Sequence, residues 1–317
     1  MLRLEKIPMT NSYNAQAQLK LLKQQSSDIQ KMLFNFRHKD YININKKLAN
    51  CCHASIIINN RINQQFQSCD SIFCPICAST HKIRRESAIA YGVIDKINNG
   101  VVLENGRKTM PILYFLTLTV PKVSVNQFDY VFKQLKANYK TFLKTKMEKA
   151  SGKLVTFNQS LLGRSDYYHI SLNDDCYGNP LVGVHLHAIL MLNPSFSGAN
   201  SIIKKMVKDY WMSINGSSSI LQTNIKPLPS TRHDFKNNHA YNLAKLDFDS
   251  IIANPSKFIA LLPCIQGKRF NTHTGLIRQY RKEVREEYKI EQEIKHQAQM
   301  QLEIAKRIDA YIAIPSI

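Results

Sequence analysis

Apolar residues recur along this chain at helical and strand periods, and the change from one period to the other marks its elements. Residues 19–36 carry the spacing of one or two amphipathic helices. Residues 81–98 read as a helix, with Ile83, Ile89, Ile94 and Ile97 apolar and Lys82, Arg84 and Arg85 forming a basic face. Residues 111–121 are β-branched and aromatic and end at Pro121, which predicts a buried strand. Over 125–149, Phe128, Phe132, Leu135, Tyr139 and Phe142 recur at three- and four-residue steps, so a basic helix is expected there. Strands follow at 165–172 and 181–192. The turn-rich stretch 174–180 between them predicts an antiparallel hairpin. A helix over 200–213 holds the single tryptophan, Trp211, and a fourth strand is expected within 220–228. A helix over 237–246 is separated near Pro255 from the apolar stretch 258–265. From Gln279 to about Tyr311 a long charged helix runs without Gly or Pro. No repeat is visible. Helices interspersed with antiparallel strands define an α+β layer fold: a central antiparallel sheet flanked by helices.

The third of these strands carries the most informative pattern, Val-Gly-Val-His-Leu-His-Ala-Ile-Leu over 182–190. Side chains alternate along a strand, so His185 and His187 share one face while Val184, Leu186, Ala188 and Leu190 take the other. Two imidazoles on one face can hold a divalent metal through ring nitrogens. They can equally be core histidines satisfied by backbone carbonyls. An ion such as Mg²⁺ or Mn²⁺ needs an oxygen ligand as well. Asp166, on the neighbouring strand, is the best carboxylate, and His169 is a nitrogen alternative.

Charge narrows the class of partner. Lys and Arg number 43 against 23 Asp and Glu, a formal net charge of +20. That excess favours a polyanion, and nucleic acid is preferred over a membrane because no apolar run is long enough to span a bilayer. The first 25 residues carry Lys and Arg but no apolar signal core, so a soluble protein in a reducing compartment, the cytoplasm, is expected. Arg84, Arg85, Lys133, Lys136 and Lys140 are candidate phosphate contacts, each weighed against the plain reading of a solvated surface side chain.

Five of the seven cysteines fall between residues 51 and 77. In a reducing compartment, such a cluster reads as metal binding more than as a disulfide framework. Cys74 and Cys77, with two residues between them, suit one structural Zn²⁺; Cys69 supplies a third ligand and Cys52 a fourth, with Cys51 and His53 as alternatives. Cys176 and Cys264 are isolated. Tyr241 and Lys245, at i and i+4, would share one helix face. A phenol is a poor nucleophile at neutral pH, and a nearby cation with a metal-polarised phosphate would help it. Alone, Tyr241 reads as a half-buried packing residue, one of 14 tyrosines.

Taken in order, these segments resemble the rolling-circle replication initiators of small plasmids, within the His-hydrophobic-His endonuclease superfamily. The resemblance runs from about Cys51 to Gly275. It covers Cys69-x4-Cys74-Pro75-x-Cys77, the Phe-Leu-Thr-Leu-Thr segment 115–119, His185-Leu186-His187, Tyr241 with Lys245, and Gly267-Lys268-Arg269-Phe270 followed by Thr274-Gly275-Leu276. Two departures stand out. Three residues separate Tyr241 from Lys245 where the family often has two. Asn237 stands four residues before Tyr241, where many members carry a water-activating glutamate, so termination by that route is in doubt. The chain divides into four expected regions: a polar helical region over 1–50 and the charged helix over 279–317, both outside the resemblance, with a zinc-binding segment and its basic helix over 51–100 and an endonuclease domain over 101–278 between them. The resemblance implies a bacterial, plasmid-encoded enzyme that nicks and rejoins single-stranded or hairpin origin DNA. His185, His187 and a third ligand would hold Mg²⁺ or Mn²⁺, Tyr241 would form a 5′-phosphotyrosine link, and Lys245 would assist. A host polymerase and helicase are the further partners implied. A transposase or mobilisation relaxase would share this chemistry, and a non-catalytic, zinc-stabilised DNA-binding regulator is the rival from another class.

Overall fold

The computed structural model describes residues 12–34, 46, 48, 55–58, 61–64, 74, 77, 83–103, 105–148, 152, 154–174, 176, 178–194, 200–215, 223–229, 231, 255–265 and 268–312. In chain order these form helix α1 (Ser12–Phe34), the hairpin β1 (Ser55–Ile58) and β2 (Arg61–Gln64), and helix α2 (Ile83–Asn98). A small hairpin, β3 (Val101–Val102) and β4 (Lys108–Thr109), leads into β5 (Ile112–Thr119) and β6 (Val123–Ser124). Helix α3 (Phe128–Lys144), the hairpin β7 (Lys146–Glu148) and β8 (Leu154–Thr156), and the single turn α4 (Phe157–Ser160) follow. Next come the long strands β9 (Leu161–Asp174) and β10 (Pro180–Leu192), α5 (Asn200–Asn215), β11 (Thr223–Pro227), α6 (Pro255–Ile265), β12 (Asn271–Thr274) and α7 (Gly275–Ile312).

The central sheet has the order β11-β5-β10-β9-β12, with β6 also pairing with β10, and its pairings are all antiparallel. This is the expected α+β arrangement of an antiparallel sheet flanked by helices. The hairpin β9–β10 is the one anticipated from the 174–180 turn, and both strands extend beyond their expected limits. The helix expected over 125–149 is shorter. After a 3₁₀ turn at Val125–Gln127 it ends at Lys144, where Thr145 turns extended (φ −60°, ψ 135°) and starts the β7–β8 hairpin.

The sheet separates two cores. On one face Leu116, Leu118, Val184, Leu186, Ala188 and Leu190 pack against Phe128, Phe132, Leu135, Tyr139 and Phe142 of α3 and Trp211 of α5. Trp211 is fully buried, and its indole Nε1 donates to the Thr119 carbonyl at 3.0 Å. On the other face, the described residues cover the end of the sheet away from the histidine-bearing part. There Leu113, Phe115, Ile189 and Met191 meet Ile89, Val93, Ile94 and Ile97 of α2 and Ile277 and Val284 of α7. The α2–α7 contact is locked by Glu86, whose carboxylate accepts from Arg281 inside the core and from Arg285 at its edge. No helix among the described residues is long and apolar enough to cross a membrane.

Candidate metal centre

The remaining part of the second face is polar, and the strand register explains why the polar groups gather there. Cα pairing sets His185 between Thr119 of β5 and His169 of β9, and His187 between Thr117 and Tyr167. Directly opposed residues share a face, so His169, His185, His187, Thr117 and Thr119 lie on one side of three adjacent strands. One ligand atom from each of His169, His185 and His187 can be chosen so that all three lie within 4.8 Å of one another. His169 Nδ1 and His185 Nε2 are 2.7 Å apart and share a hydrogen bond. The ring centroids are 4.7 to 6.1 Å apart.

His187 is fixed from two sides. Its Nδ1 is 3.0 Å from Thr117 Oγ1, and its ring stacks on Phe115 at a centroid distance of 5.5 Å. Engaging one ring nitrogen leaves Nε2 as the donor to a metal, which is how ligand histidines are commonly oriented. Burial, followed by the neighbouring His169 and the Lys122 ammonium, pushes His185 down to about 4. Burial and the two other rings push His187 down to about 4 as well. Both rings are therefore neutral at pH 7, with lone pairs available to a cation. The three residues would hold a divalent ion with one ring nitrogen each, atoms that already lie within 4.8 Å of one another. The donor set fits a divalent ion.

A cleft of about 740 Å³ opens beside the rings, lined by His185, His187, Thr117, Thr119, Lys122 and Gly183 among others. Gly183 keeps that cleft clear: a Cβ there would stand 2.6 Å from Ser171 Oγ and 3.5 Å from the Lys122 side chain. Across β5, Lys226 of β11 lies on the same face, its Nζ 5.6 Å from the Phe115 ring centroid.

Asp166 is a correction. It pairs with Ala188, one residue out of step with the histidines, and so faces the opposite core, where it is 2 % exposed. Its Oδ1 accepts from Tyr139 Oη at 2.9 Å and its Oδ2 from Arg164 Nε at 2.9 Å. Burial raises its pKa against the opposing pull of Arg164. It is a structural carboxylate facing away from the rings, and the third residue placed to hold a metal is His169.

The other candidates separate as follows. Tyr241, Lys245, Cys51, Cys52, His53 and Cys69 lie outside the described residues. Cys74 and Cys77 are both buried, and the Cys77 N–H donates to Cys74 Sγ at 3.4 Å. Lys133, Lys136 and Lys140 sit on α3, across the sheet from the histidines. Lys136 has an internal role, donating to the Arg269 carbonyl at 3.1 Å and lying 4.1 Å over the Phe132 ring. Arg84 and Arg85 fall in the first turn of α2. Sequence reasoning does not single out Thr117, Lys122 or Gly183, whose one signal is their place on the histidine face. No protein-family model, curated protein or solved structure matches this chain.

Proposed function

We propose that this protein is a metal-dependent DNA strand-nicking and strand-joining enzyme of the rolling-circle plasmid initiator type. The observation that carries the reading is the three-histidine cluster beside a cleft on one face of an antiparallel sheet, in a chain of net charge +20. His169, His185 and His187 would hold the ion. Three imidazoles favour Mn²⁺ over Mg²⁺, which prefers an all-oxygen shell. When bound, the ion would neutralise the non-bridging oxygens of the scissile phosphate. Lys122 and Lys226, on the same side of the sheet, would draw a single strand toward the rings and bind its neighbouring phosphates. Gly183 would let the backbone approach closely.

Tyr241 would supply the nucleophile. Its phenol oxygen bonds to phosphorus, the bond from phosphorus to the 3′-oxygen breaks, the phenol proton goes to solvent and the departing oxygen takes one up. The products are a 5′-phosphotyrosine and a free 3′-hydroxyl. Lys245 would favour the ionised phenol or steady the charge at phosphorus. Because the link keeps the phosphodiester, the step reverses to rejoin strands. Cys74 and Cys77, buried with an N–H to sulfur hydrogen bond between them, support a structural Zn²⁺ completed by Cys52 and Cys69.

The test is a nicking assay on labelled single-stranded origin DNA with Mn²⁺, comparing wild type with Tyr241→Phe. A covalent protein–DNA adduct that Tyr241→Phe abolishes is the expected result. Binding without cutting, with Mn²⁺ or with Mg²⁺, would leave a DNA-binding regulator as the reading.

A further inference from the structure

Helix α7 carries a second surface that the sheet does not use. Its first turns are buried, with Ile277 and Val284 in the core against α2. Beyond Lys289 the described side chains are exposed or half-buried, and Ile290, Ile294, Met300 and Ile304 are 56, 60, 50 and 54 % exposed. At 100° per residue the stripe through Ile290, Ile294 and Ile304 lies about 120° round the helix from Val284, and it begins past Glu283 and Glu287, which pair with Lys96 of α2. Continuing it in sequence gives Ile290, Ile294, Gln297, Gln301, Ile304, Ile308 and Tyr311, spaced alternately by four and three residues. That is the a/d seam of a coiled coil over three heptads. Leu302, also exposed, falls outside it.

The seam reads nearly the same in both directions about residue 299. Turned end for end, a second copy sets Ile290 against Ile308, Ile294 against Ile304 and Gln297 against Gln301, each an a position facing a d position. Flanking the seam, Glu293 then faces Arg307 of the second copy, twice by symmetry, while within its own helix Glu293 has Lys289 at 3.8 Å. Ala298 and Met300 meet their own counterparts at the centre. Residues 289–309 carry four basic and four acidic side chains, a neutral stretch in a strongly basic chain, which disfavours nucleic acid as the occupant.

We propose that α7 pairs with α7 of a second copy of this chain as an antiparallel two-stranded coiled coil centred near residue 299. The occupant is fixed by the palindromic seam and the Glu293–Arg307 complementarity, and it stands whether or not the nicking reading holds. The paired Gln layers weaken the contact while setting its register.

The experiment is sedimentation equilibrium of the full chain from about 1 to 100 µM, the range expected of a three-heptad seam. The mean mass should rise from 36.4 kDa toward twice that value. Ile294→Asp with Ile304→Asp should stay monomeric while far-UV circular dichroism shows the fold retained. Glu293→Arg and Arg307→Glu should each weaken the dimer about tenfold, and combining them should restore it, a rescue a parallel pair cannot give because Glu293 would then face Ala298. A wild type that stays monomeric throughout would leave the stripe to another protein and overturn the proposal. So would a dimer indifferent to the aspartates, or a charge swap without rescue.

Discussion

His187 is the best-held ring of the three, with Thr117 on one nitrogen and Phe115 beneath it, while His169 and His185 hold each other. This division of labour makes the third ligand testable. His169→Ala should weaken Mn²⁺ binding by at least about tenfold, a loss seen even when only residues supporting metal ligands are removed. Titration calorimetry reads this directly. Asp166→Asn should leave Mn²⁺ affinity unchanged and cost about 3 kcal/mol of stability in urea unfolding, because Arg164 would keep its charge in a mostly buried site without a carboxylate to face it. A metal-binding loss in Asp166→Asn with none in His169→Ala would reverse the assignment. The choice between the two is legible in the sequence itself. The β9–β10 turn is centred on residue 177, so positions equally distant from it face each other: 169 meets 185, and 166 meets 188. Ala188 belongs to the apolar side of its strand, which carries Asp166 with it. Chemical preference for an oxygen ligand points to a residue on the opposite face; strand parity points to the one that shares the face of His185 and His187.

Elements with a strong period are readable from sequence, and weakly patterned ones are not. The strand carrying His185 and His187 and the helix carrying Phe128 to Phe142 follow from alternation and from three- and four-residue spacing. Strand β12, Asn-Thr-His-Thr, has no apolar residue to alternate; it is a strand only because β9 offers its edge. The β7–β8 hairpin hides behind a run of lysines that continues the polarity of α3, with Gly152 at φ 75° the one local sign of a turn. Helix α7 starts at Gly275, four residues ahead of the expected Gln279, since its first turn is spent crossing β9. Gly275 has φ 55°, and a Cβ there would run into the Leu162 carbonyl, while a Cβ on Gly163 would come 2.7 Å from the Ile277 nitrogen. Beyond that crossing, the Glu86–Arg281 pair seals α2 to α7. Glu86→Ala should destabilise the protein by about 3 to 5 kcal/mol, because Arg281 would remain charged and buried. Urea unfolding measures the loss; a change below about 1 kcal/mol would mean that Arg281 finds another anion or escapes to solvent.

At the scale of the whole molecule, acid should find a weak point where α7 leaves the sheet. His273 hydrogen-bonds Ser165 at 2.9 Å, and burial with the nearby Arg281, Arg285 and Arg269 pushes it down to about 3. Its folded pKa lies below the ordinary value near 6.5, so folding excludes a proton that the unfolded chain accepts. The stability it contributes is complete above about pH 6.5 and is lost as pH falls toward 3. The urea midpoint of metal-free protein should drop from about pH 7 to about pH 5, and His273→Asn should flatten that slope; an equal slope in both would assign the acid sensitivity elsewhere. The same junction has a consequence for geometry. Helix α7 runs unbroken from its glycine root to the seam, fifteen residues from Gly275 to Ile290. Each residue in that stretch advances the rod by about 1.5 Å and turns it by about 100°. In a paired arrangement, the angle between the two histidine clefts is therefore set by counting, as the pitch of a screw sets where its slot stops. One residue inserted between Glu287, which still pairs with Lys96 of α2, and the start of the seam at Ile290 would keep both sets of contacts and point the two clefts in new directions.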